Sequence, residues 1–325
     1  MAGWTRQRSG RGFRYRDEDG RPLTPEQVTR VRALVIPPAW REVWICPLPQ
    51  GHLQATGVDA AGRRQYIYHP HWRELRDRQK FDRVATAALG LPEARRRVAA
   101  DLSRGGMPLQ RAAATAVRLL DLGYFRIGND YYADANGSFG LTTLLRRHVR
   151  RQGHALAFRF TGKSGIEHRV LIEDDAAIDA LQAMRRRRGG ERLLVYRDGR
   201  EWRDLSSAAV NGYLTELFGG EFTAKDFRTW HATVLFATAL ARSPRPGTAT
   251  ARRRAVRGAV GEVAEYLGNT PAIARTSYID PRVLDLWEAG QSIAAAVGRS
   301  YRTPQRRQAS LEAAVLDLLG VRSSG

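Results

Sequence analysis

The stretch LAFRFTGKSGIEHRVLI, residues 156–172, indicates the fold class most directly. Its ends, Leu156–Phe160 and Ile166–Ile172, are strand-like, and Thr161–Gly165 between them has the composition of a loop. Apolar residues on either side of the stretch recur at helical spacing. Helices are expected at Asp174–Met184, Asp204–Phe218 and Thr223–Ala241. We therefore predict a mainly helical domain with a β-hairpin sheet, its strands within about residues 138–172.

The first 75 residues have a different pattern, with short strand-like stretches. Two strand-like stretches, Leu53–Val58 and Gln65–Tyr68, flank Asp59–Gly62, which suits a hairpin loop. The predicted fold class is therefore α+β, with a small antiparallel β-rich N-terminal lobe and a larger, mainly helical lobe. The predicted domains are residues 1–78 and 79–325.

The charge of the chain points to a polyanionic partner. Its 325 residues include 53 Lys and Arg against 33 Asp and Glu, a formal net charge of +20. Residues 1–80 hold 15 basic and 8 acidic residues, which leaves 38 and 25 for residues 81–325. Both parts are basic, so a single basic tail does not explain the excess. Nucleic acid is the first interpretation, and an anionic membrane surface is the second.

Two other classes of protein fit poorly. Because Cys46 is the only cysteine, the chain forms no internal disulfide. No apolar run approaches the ~18 residues of a membrane span, and the Arg-rich N-terminus lacks the apolar segment of a signal peptide. We expect a cytoplasmic protein with no membrane partner.

Cofactor motifs are incomplete. Gly162-Lys163-Ser164 lacks the earlier glycine of a phosphate-binding loop, because position 157 is alanine. His69 and His71 have no nearby Cys pair or HExxH motif to complete a metal site. We therefore expect neither a nucleotide cofactor nor a metal.

Lysine is scarce in this chain, which has 50 arginines but only Lys80, Lys163 and Lys225. A lysine can give up a proton where a reaction needs one, whereas a guanidinium with a pKa above ~12 cannot. Each lysine is therefore a candidate for proton transfer.

Short polar and basic segments follow one another in a fixed order. They are YFRIG (Tyr124–Gly128), FTGKSG (Phe160–Gly165), DFRTWH (Asp226–His231) and LGNTP (Leu267–Pro271), with Tyr278 nine residues after Asn269. This order resembles the catalytic domain of bacterial and poxvirus-like type IB DNA topoisomerases and, more distantly, tyrosine recombinases. NGSFGLTTL (Asn136–Leu144) and GRRQYIY (Gly62–Tyr68) also match, so the resemblance covers roughly residues 35–285.

The resemblance implies a role for each matching residue. Tyr278 corresponds to the nucleophile, which forms a 3′-phosphotyrosyl link. Arg126 and Arg228 correspond to the arginines that bind the non-bridging phosphate oxygens. Lys163 corresponds to the general acid that protonates the leaving 5′-oxygen. Asn269 stands where many members carry histidine; it can donate a hydrogen bond but not a proton. Such an enzyme relaxes DNA without ATP or metal.

Gln65, Tyr66 and Tyr68 match residues that reach DNA in this family. Alternation along a strand puts Tyr66 and Tyr68 on one face and Gln65 on the other. A tyrosine pair facing the core is the alternative to one facing DNA. His231, three residues after Arg228, is interpreted as a packed or phosphate-touching helix residue.

Two other functions also account for part of the sequence. A tyrosine recombinase would use the same Arg, Lys, Arg and Tyr set, although recombinases usually begin with an all-helical domain and often carry histidine where this chain has Lys225. A noncatalytic DNA-binding protein would explain the charge but not the ordered segments. For a topoisomerase, the resemblance implies a monomeric, nucleoid-associated protein whose two lobes close as a clamp on double-stranded DNA.

Overall fold

The computed structural model describes residues 2–122, 125–128, 137–220, 222–242 and 244–322. The chain divides into two compact units, residues 1–81 and 82–325, and the division falls inside the helix Pro70–Ala88. The domain boundary predicted between residues 78 and 79 lies in the same helix and stays a prediction.

The first unit is built on one antiparallel sheet. Its strands are β1 (Trp4–Ser9), β2 (Gly12–Arg16), β3 (Arg41–Ile45), β4 (Leu53–Val58) and β5 (Arg64–Tyr68), in the order β2-β1-β3-β4-β5. Helix α1 (Pro25–Ala33) begins with a capping box between Thr24 and Gln27. Its Val31 is buried with the apolar face of the sheet. The predicted antiparallel β-rich lobe is therefore confirmed.

The predicted hairpin between β4 and β5 is also confirmed. Asp59 closes its turn, because the Asp59 carboxylate accepts hydrogen bonds from the backbone N–H groups of Ala61 and Arg63, each at 2.9 Å. The two strands pair in antiparallel register with Thr56 opposite Tyr66. Exposure alternates along β5, and Ile67 packs on the core of the sheet.

The second unit is mainly helical, as predicted. Its helices are α2 (Pro70–Ala88, which begins in the first unit), α3 (Leu91–Leu102), α4 (Leu109–Asp121), α5 (Asp175–Arg185), α6 (Ser207–Phe218), α7 (Ala224–Ala241), α8 (Ala249–Leu267), α9 (Pro271–Ser277), α10 (Pro281–Glu288), α11 (Ala294–Val297) and α12 (Pro304–Leu318). Helix α7 is buried on nearly every side and forms the centre of the core. Across the residues that the structure describes, every helix is too short or too polar to cross a membrane.

The strands of the second unit differ in part from the prediction. Strands β6 (Val149–Gln152), β7 (Ala155–Thr161) and β8 (Glu167–Ile172) form an antiparallel sheet in sequence order. Residues 138–148, expected to be extended, instead contain the 3-10 turns Leu141–Thr143 and Arg146–His148. The Thr143 hydroxyl closes the first turn by accepting from the Gly140 N–H at 2.8 Å.

A second hairpin was missed. Strands β9 (Val195–Asp198) and β10 (Glu201–Asp204) pair with each other, so the helix expected from Asp204 begins only at Ser207. The Ser206 hydroxyl caps that helix by accepting from the Ala209 N–H at 3.1 Å.

A buried ionic network joins three helices of the second unit. Asp121 of α4 accepts two hydrogen bonds from Arg95 of α3, both at 2.8 Å, and one from Arg118 at 3.3 Å. Arg95 also donates to Glu312 of α12 at 2.6 and 2.9 Å. Burial acts to raise the pKa of Asp121, but its partners, Arg95 first, hold that pKa well below its ordinary value.

We expect Asp121→Ala to lower the free energy of unfolding by about 2–3 kcal/mol, because Arg95 and Arg118, which are partly buried, lose their shared acceptor and keep only Glu312 and Asp174 as partners. Chemical denaturation measures the loss. The control is Glu262→Ala, which removes an exposed partner of Arg242 and should cost less than about 1 kcal/mol. Equal losses in the two variants would show that the buried network contributes no special stability.

Candidate active site

Four predicted site residues lie together in the second unit. Arg126 follows α4, Arg228 lies in the first turns of α7, Asn269 follows α8, and Tyr278 caps the C-terminus of α9. Arg126 donates from Nη2 to the Asn269 side-chain oxygen and to the carbonyl of Gly268, the latter at 3.1 Å. The guanidinium carbon of Arg228 is 5.4 Å from the centre of the Tyr278 ring.

The C-terminus of α8 holds both arginines. The helix ends at Gly268 in the left-handed conformation, with φ 59° and ψ 46°, so its last carbonyl groups point outward. Arg228 donates from Nη2 to the Leu267 carbonyl at 2.7 Å, and Arg126 binds the next carbonyl. Carbonyl groups at a helix C-terminus carry partial negative charge and therefore favour cations.

Packing fixes the segment that carries Arg126. The ring of Phe125 is fully buried and lies 5.1 Å from Phe158 and 6.0 Å from Phe160, centre to centre. Behind it Gly128 crosses Gly140 so closely that a Cβ on Gly140 would lie 2.4 Å from the Gly128 Cα. This crossing accounts for glycines in two of the matched segments. Tyr124 and Asn136, the first residues of those segments, lie outside the described residues.

The start of α7 positions Arg228. Asp226 accepts from the Thr223 backbone N–H and hydroxyl, both at 2.8 Å, and from Arg83 at 2.9 and 3.1 Å. Five residues after Arg228, the Thr233 hydroxyl accepts from the Asp280 backbone N–H at 3.2 Å and lies 3.4 Å from the Tyr278 carbonyl oxygen. The arginine and the tyrosine are therefore held by the same helix.

Burial and charge shape the ionisation of this cluster. Arg228 is only 4% exposed, and burial followed by the charge of Arg126 lowers the pKa of Arg228 to about 10. Burial acts to raise the pKa of Tyr278. The charge and hydrogen bond of Arg228, with further contributions from Lys225 and Arg126, outweigh burial and leave the pKa of Tyr278 below its ordinary value. The cluster therefore favours the phenolate, the nucleophilic form of tyrosine.

Lys163 lies at the tip of the β7–β8 hairpin, in the 3-10 turn Lys163–Gly165. Its side chain is exposed. The Gly162 N–H donates to the Ile166 carbonyl at 2.7 Å and closes the turn. The hairpin approaches the cluster through His168, whose pKa is lowered by burial and then by the charges of Arg126 and Arg228.

His168 was missed in the sequence. It shares a face of β8 with the buried Val170 and Ile172, whereas Glu167 and Arg169 are exposed. A histidine at a core-facing position of an alternating strand was the one available signal.

Of the other histidines, His231 is 7% exposed and its Nε2 lies 3.7 Å from Asp121 Oδ1, so it is a packed residue. The rings of His69 and His71 are neighbours with centres 5.2 Å apart. In the described part of the chain, no three His, Cys, Asp or Glu side chains are placed to hold a metal ion.

The predicted DNA contacts of the first unit lie on the β5 strand. Tyr66 and Tyr68 are 49% and 43% exposed, and their rings stack with centres 6.0 Å apart. The core-facing alternative for this pair was therefore wrong. Gln65 lies on the other face and donates to Asp59 Oδ2 at 2.9 Å. The tyrosines offer an aromatic surface, whereas Gln65 supports the hairpin turn.

Comparisons with known proteins cover most of the chain. Residues 69–292 match the family model of the eukaryotic DNA topoisomerase I catalytic core, and residues 12–59 match that of the bacterial DNA topoisomerase IB N-terminal domain. DNA topoisomerase 1B of Acanthamoeba polyphaga mimivirus is 29% identical over 297 residues, 89% of this chain and 88% of that protein. DNA topoisomerase 1 of Schizosaccharomyces pombe is 29% identical over 141 residues, 43% of this chain and 16% of that protein.

We expect Tyr278 to ionise below the ordinary pKa of tyrosine, because Arg228 lies over its ring. The measurement is tyrosinate absorbance against pH for the wild-type protein minus that of Tyr278→Phe, which isolates one phenol. Tyr213→Phe is the matched control, since burial and a 2.6 Å hydrogen bond to Asp101 raise the pKa of Tyr213. The expectation fails if the Tyr278 difference curve has an ordinary or raised midpoint.

Proposed function

Since the chain belongs to the type IB DNA topoisomerase family, isomerases that act on DNA, we propose that it relaxes supercoiled duplex DNA through a covalent link to Tyr278. The observation that carries the proposal is the position of Tyr278 beneath Arg228, within the cluster formed with Arg126 and Asn269. The family match favours the topoisomerase over the recombinase alternative.

In the proposed reaction, the Tyr278 oxygen attacks a backbone phosphorus atom. A phosphorus–oxygen bond to tyrosine forms while the bond to the 5′-oxygen breaks, which leaves a 3′-phosphotyrosyl link and a free 5′-hydroxyl. The phenol loses its proton, and the leaving oxygen gains one. Because the new bond is again a phosphate ester, the reverse attack by the 5′-hydroxyl restores the strand without ATP.

Arg126 and Arg228 are proposed to stabilise the charge that builds on the non-bridging oxygens. Each guanidinium has five N–H donors, so the carbonyl contacts of both arginines leave donors for a phosphate. Two fixed cations supply the positive charge that a metal supplies in other phosphoryl-transfer enzymes, and we therefore propose a reaction without metal.

Asn269 is proposed to bind phosphate as a neutral donor. Its side-chain oxygen accepts from Arg126, which orients the amide nitrogen the other way. That nitrogen has no hydrogen-bond partner among the described residues. A donor at this place can hold a phosphate oxygen, but it cannot take part in proton transfer.

Lys163 is proposed as the general acid that protonates the leaving 5′-oxygen. Its exposed position at a hairpin tip lets the ammonium group reach a bound strand. An alkoxide leaves poorly without a proton, and a lysine desolvated by DNA can supply it.

Binding of double-stranded DNA is proposed to depend on the net charge of +20 and on phosphate contacts that carry no sequence information. The stacked pair Tyr66 and Tyr68 is proposed to bind the DNA together with Gln65, whose amide also supports their hairpin. The predicted domains, residues 1–78 and 79–325, would close on the duplex as a clamp. We also propose that the protein is monomeric, cytoplasmic and associated with the nucleoid.

We expect the protein to relax both positively and negatively supercoiled plasmid in EDTA without nucleotide, because its fixed cations replace a metal. Agarose gels measure the change in linking number. The control is Tyr278→Phe, which keeps the ring but lacks the attacking oxygen, so it should bind DNA normally and form no denaturant-resistant adduct. A strict requirement for Mg²⁺ or ATP, or an adduct in the Phe variant, would contradict the proposal.

We expect Lys163→Ala to slow cleavage of an ordinary phosphodiester by about 10²–10⁴-fold, the usual contribution of a general acid. Replacing the bridging 5′-oxygen with sulfur makes a leaving group that needs little protonation, so the variant should then cleave nearly as fast as the wild-type protein. Single-turnover cleavage measures both rates. Arg126→Ala and Arg228→Ala are the contrasting variants and should show less rescue. An equal defect on both substrates would assign Lys163 to phosphate binding.

A further inference from the structure

The imidazole of His168 lies between two glycines of different segments. A Cβ built on Gly162 would be 2.6 Å from the His168 Cδ2 and Nε2 atoms, and one built on Gly268 would be 2.9 Å from Cε1. The ring also stacks on Phe160, with centres 5.1 Å apart and planes 16° from parallel. Only glycines allow the ring to touch both backbones.

These two glycines adjoin residues of the proposed reaction. Gly162 directly precedes Lys163. Gly268 directly precedes Asn269, and its carbonyl accepts the hydrogen bond from Arg126. His168 is therefore the side chain through which the lysine turn packs against the end of α8.

More hydrogen bonds fix the end of α8 than fix the lysine turn. On the α8 side, the Asn269 N–H donates to the Ala264 carbonyl at 2.9 Å, and Arg126 and Arg228 bind the last two carbonyls. On the hairpin side, Lys163 is exposed, and its turn has two backbone hydrogen bonds, from the Gly162 N–H to the Ile166 carbonyl at 2.7 Å and from the Gly165 N–H to the Gly162 carbonyl at 3.2 Å. Loss of the ring would therefore displace the lysine turn rather than the end of α8.

We propose that His168 is a positioning residue that seats the Lys163 turn against Gly268 and thereby places the Lys163 ammonium for proton transfer. The inference rests on the proposed role of Lys163 as general acid. The contact is one of packing: the ring meets both glycines through its edge and Phe160 through its face.

The charges around His168 agree with a packing role. Burial, and then the guanidinium groups of Arg126 and Arg228, lower the pKa of His168, so the ring is neutral near pH 7. The charged residues next to it on β8, Glu167 and Arg169, are exposed on the opposite face and pair with each other at 3.4 Å. A neutral ring leaves the positive charge of the cluster to the arginines.

We expect His168→Ala to slow single-turnover cleavage of an ordinary phosphodiester by roughly 10- to 100-fold, because an error of about 1 Å in a catalytic group has effects of this size. On the sulfur-bridged substrate the defect should shrink to about threefold or less, as for a lysine that is present but misplaced. In a Lys163→Ala background, His168→Ala should add little, since the lysine through which it acts is gone.

Two further variants separate positioning from a general loss of structure. His168→Phe keeps a flat ring between the glycines and should recover a large part of the rate lost in His168→Ala. Leu171→Ala, on the exposed face of the same strand, should cleave as the wild-type protein does. The thermal unfolding midpoints of all variants are compared with that of the wild-type protein.

Two results would overturn the inference: an equal His168→Ala defect on both substrates, or a defect that multiplies with that of Lys163→Ala. Either would show that His168 acts on something other than the lysine. Failure of the proposed function is distinguishable, because Lys163→Ala alone would then lack sulfur rescue. That result would contradict both the acid role of Lys163 and the positioning role of His168.

Discussion

The site depends on the last carbonyl groups of α8, at Leu267 and Gly268. They accept hydrogen bonds from Arg228 and Arg126, which come from segments about 100 residues apart in sequence. The two guanidinium groups repel each other, and burial disfavours the charge on each. Partial negative charge at a helix C-terminus offsets both effects. The end of α8 therefore helps to keep the two cations side by side at a partly buried site.

The two arginines of the cluster must be held in place by the residues around them. Buried ion pairs hold the helices that carry those residues. Asp226 fixes the start of α7 through Thr223 and Arg83, while Asp121 ties α4 to its neighbours through Arg95. In the part of the chain that the structure describes, the hydrogen bonds of Asp121 and Asp226 go to residues other than Arg126 and Arg228. The chain therefore carries carboxylates for structure and keeps the site itself cationic, which suits a phosphate ligand.

Much of this arrangement follows from local sequence. The hairpin at Asp59–Gly62, the shared strand face of Tyr66 and Tyr68, and the lysine turn between two strands were predicted correctly, because each depends on alternation or turn composition within a few residues. Whether that face points to the core or to solvent was left open by the sequence, and the structure shows that it is exposed. The β9–β10 hairpin was missed because four-residue strands give too little alternation to stand out from a helix start. The place of His168 was not predictable, since its contact with Gly268 joins residues 100 positions apart and depends on the absence of two side chains.

Two features of the structure require a glycine at position 268. Its φ of 59° excludes most side chains, and the ring of His168 fills the space where any Cβ would lie. Replacing His168 alone would relieve the second requirement and leave the first, so no single exchange elsewhere makes another residue acceptable. On an evolutionary path made of one-residue steps the constraint is therefore one-sided: Gly268 must persist for as long as the helix ends in this turn, whether or not His168 is replaced.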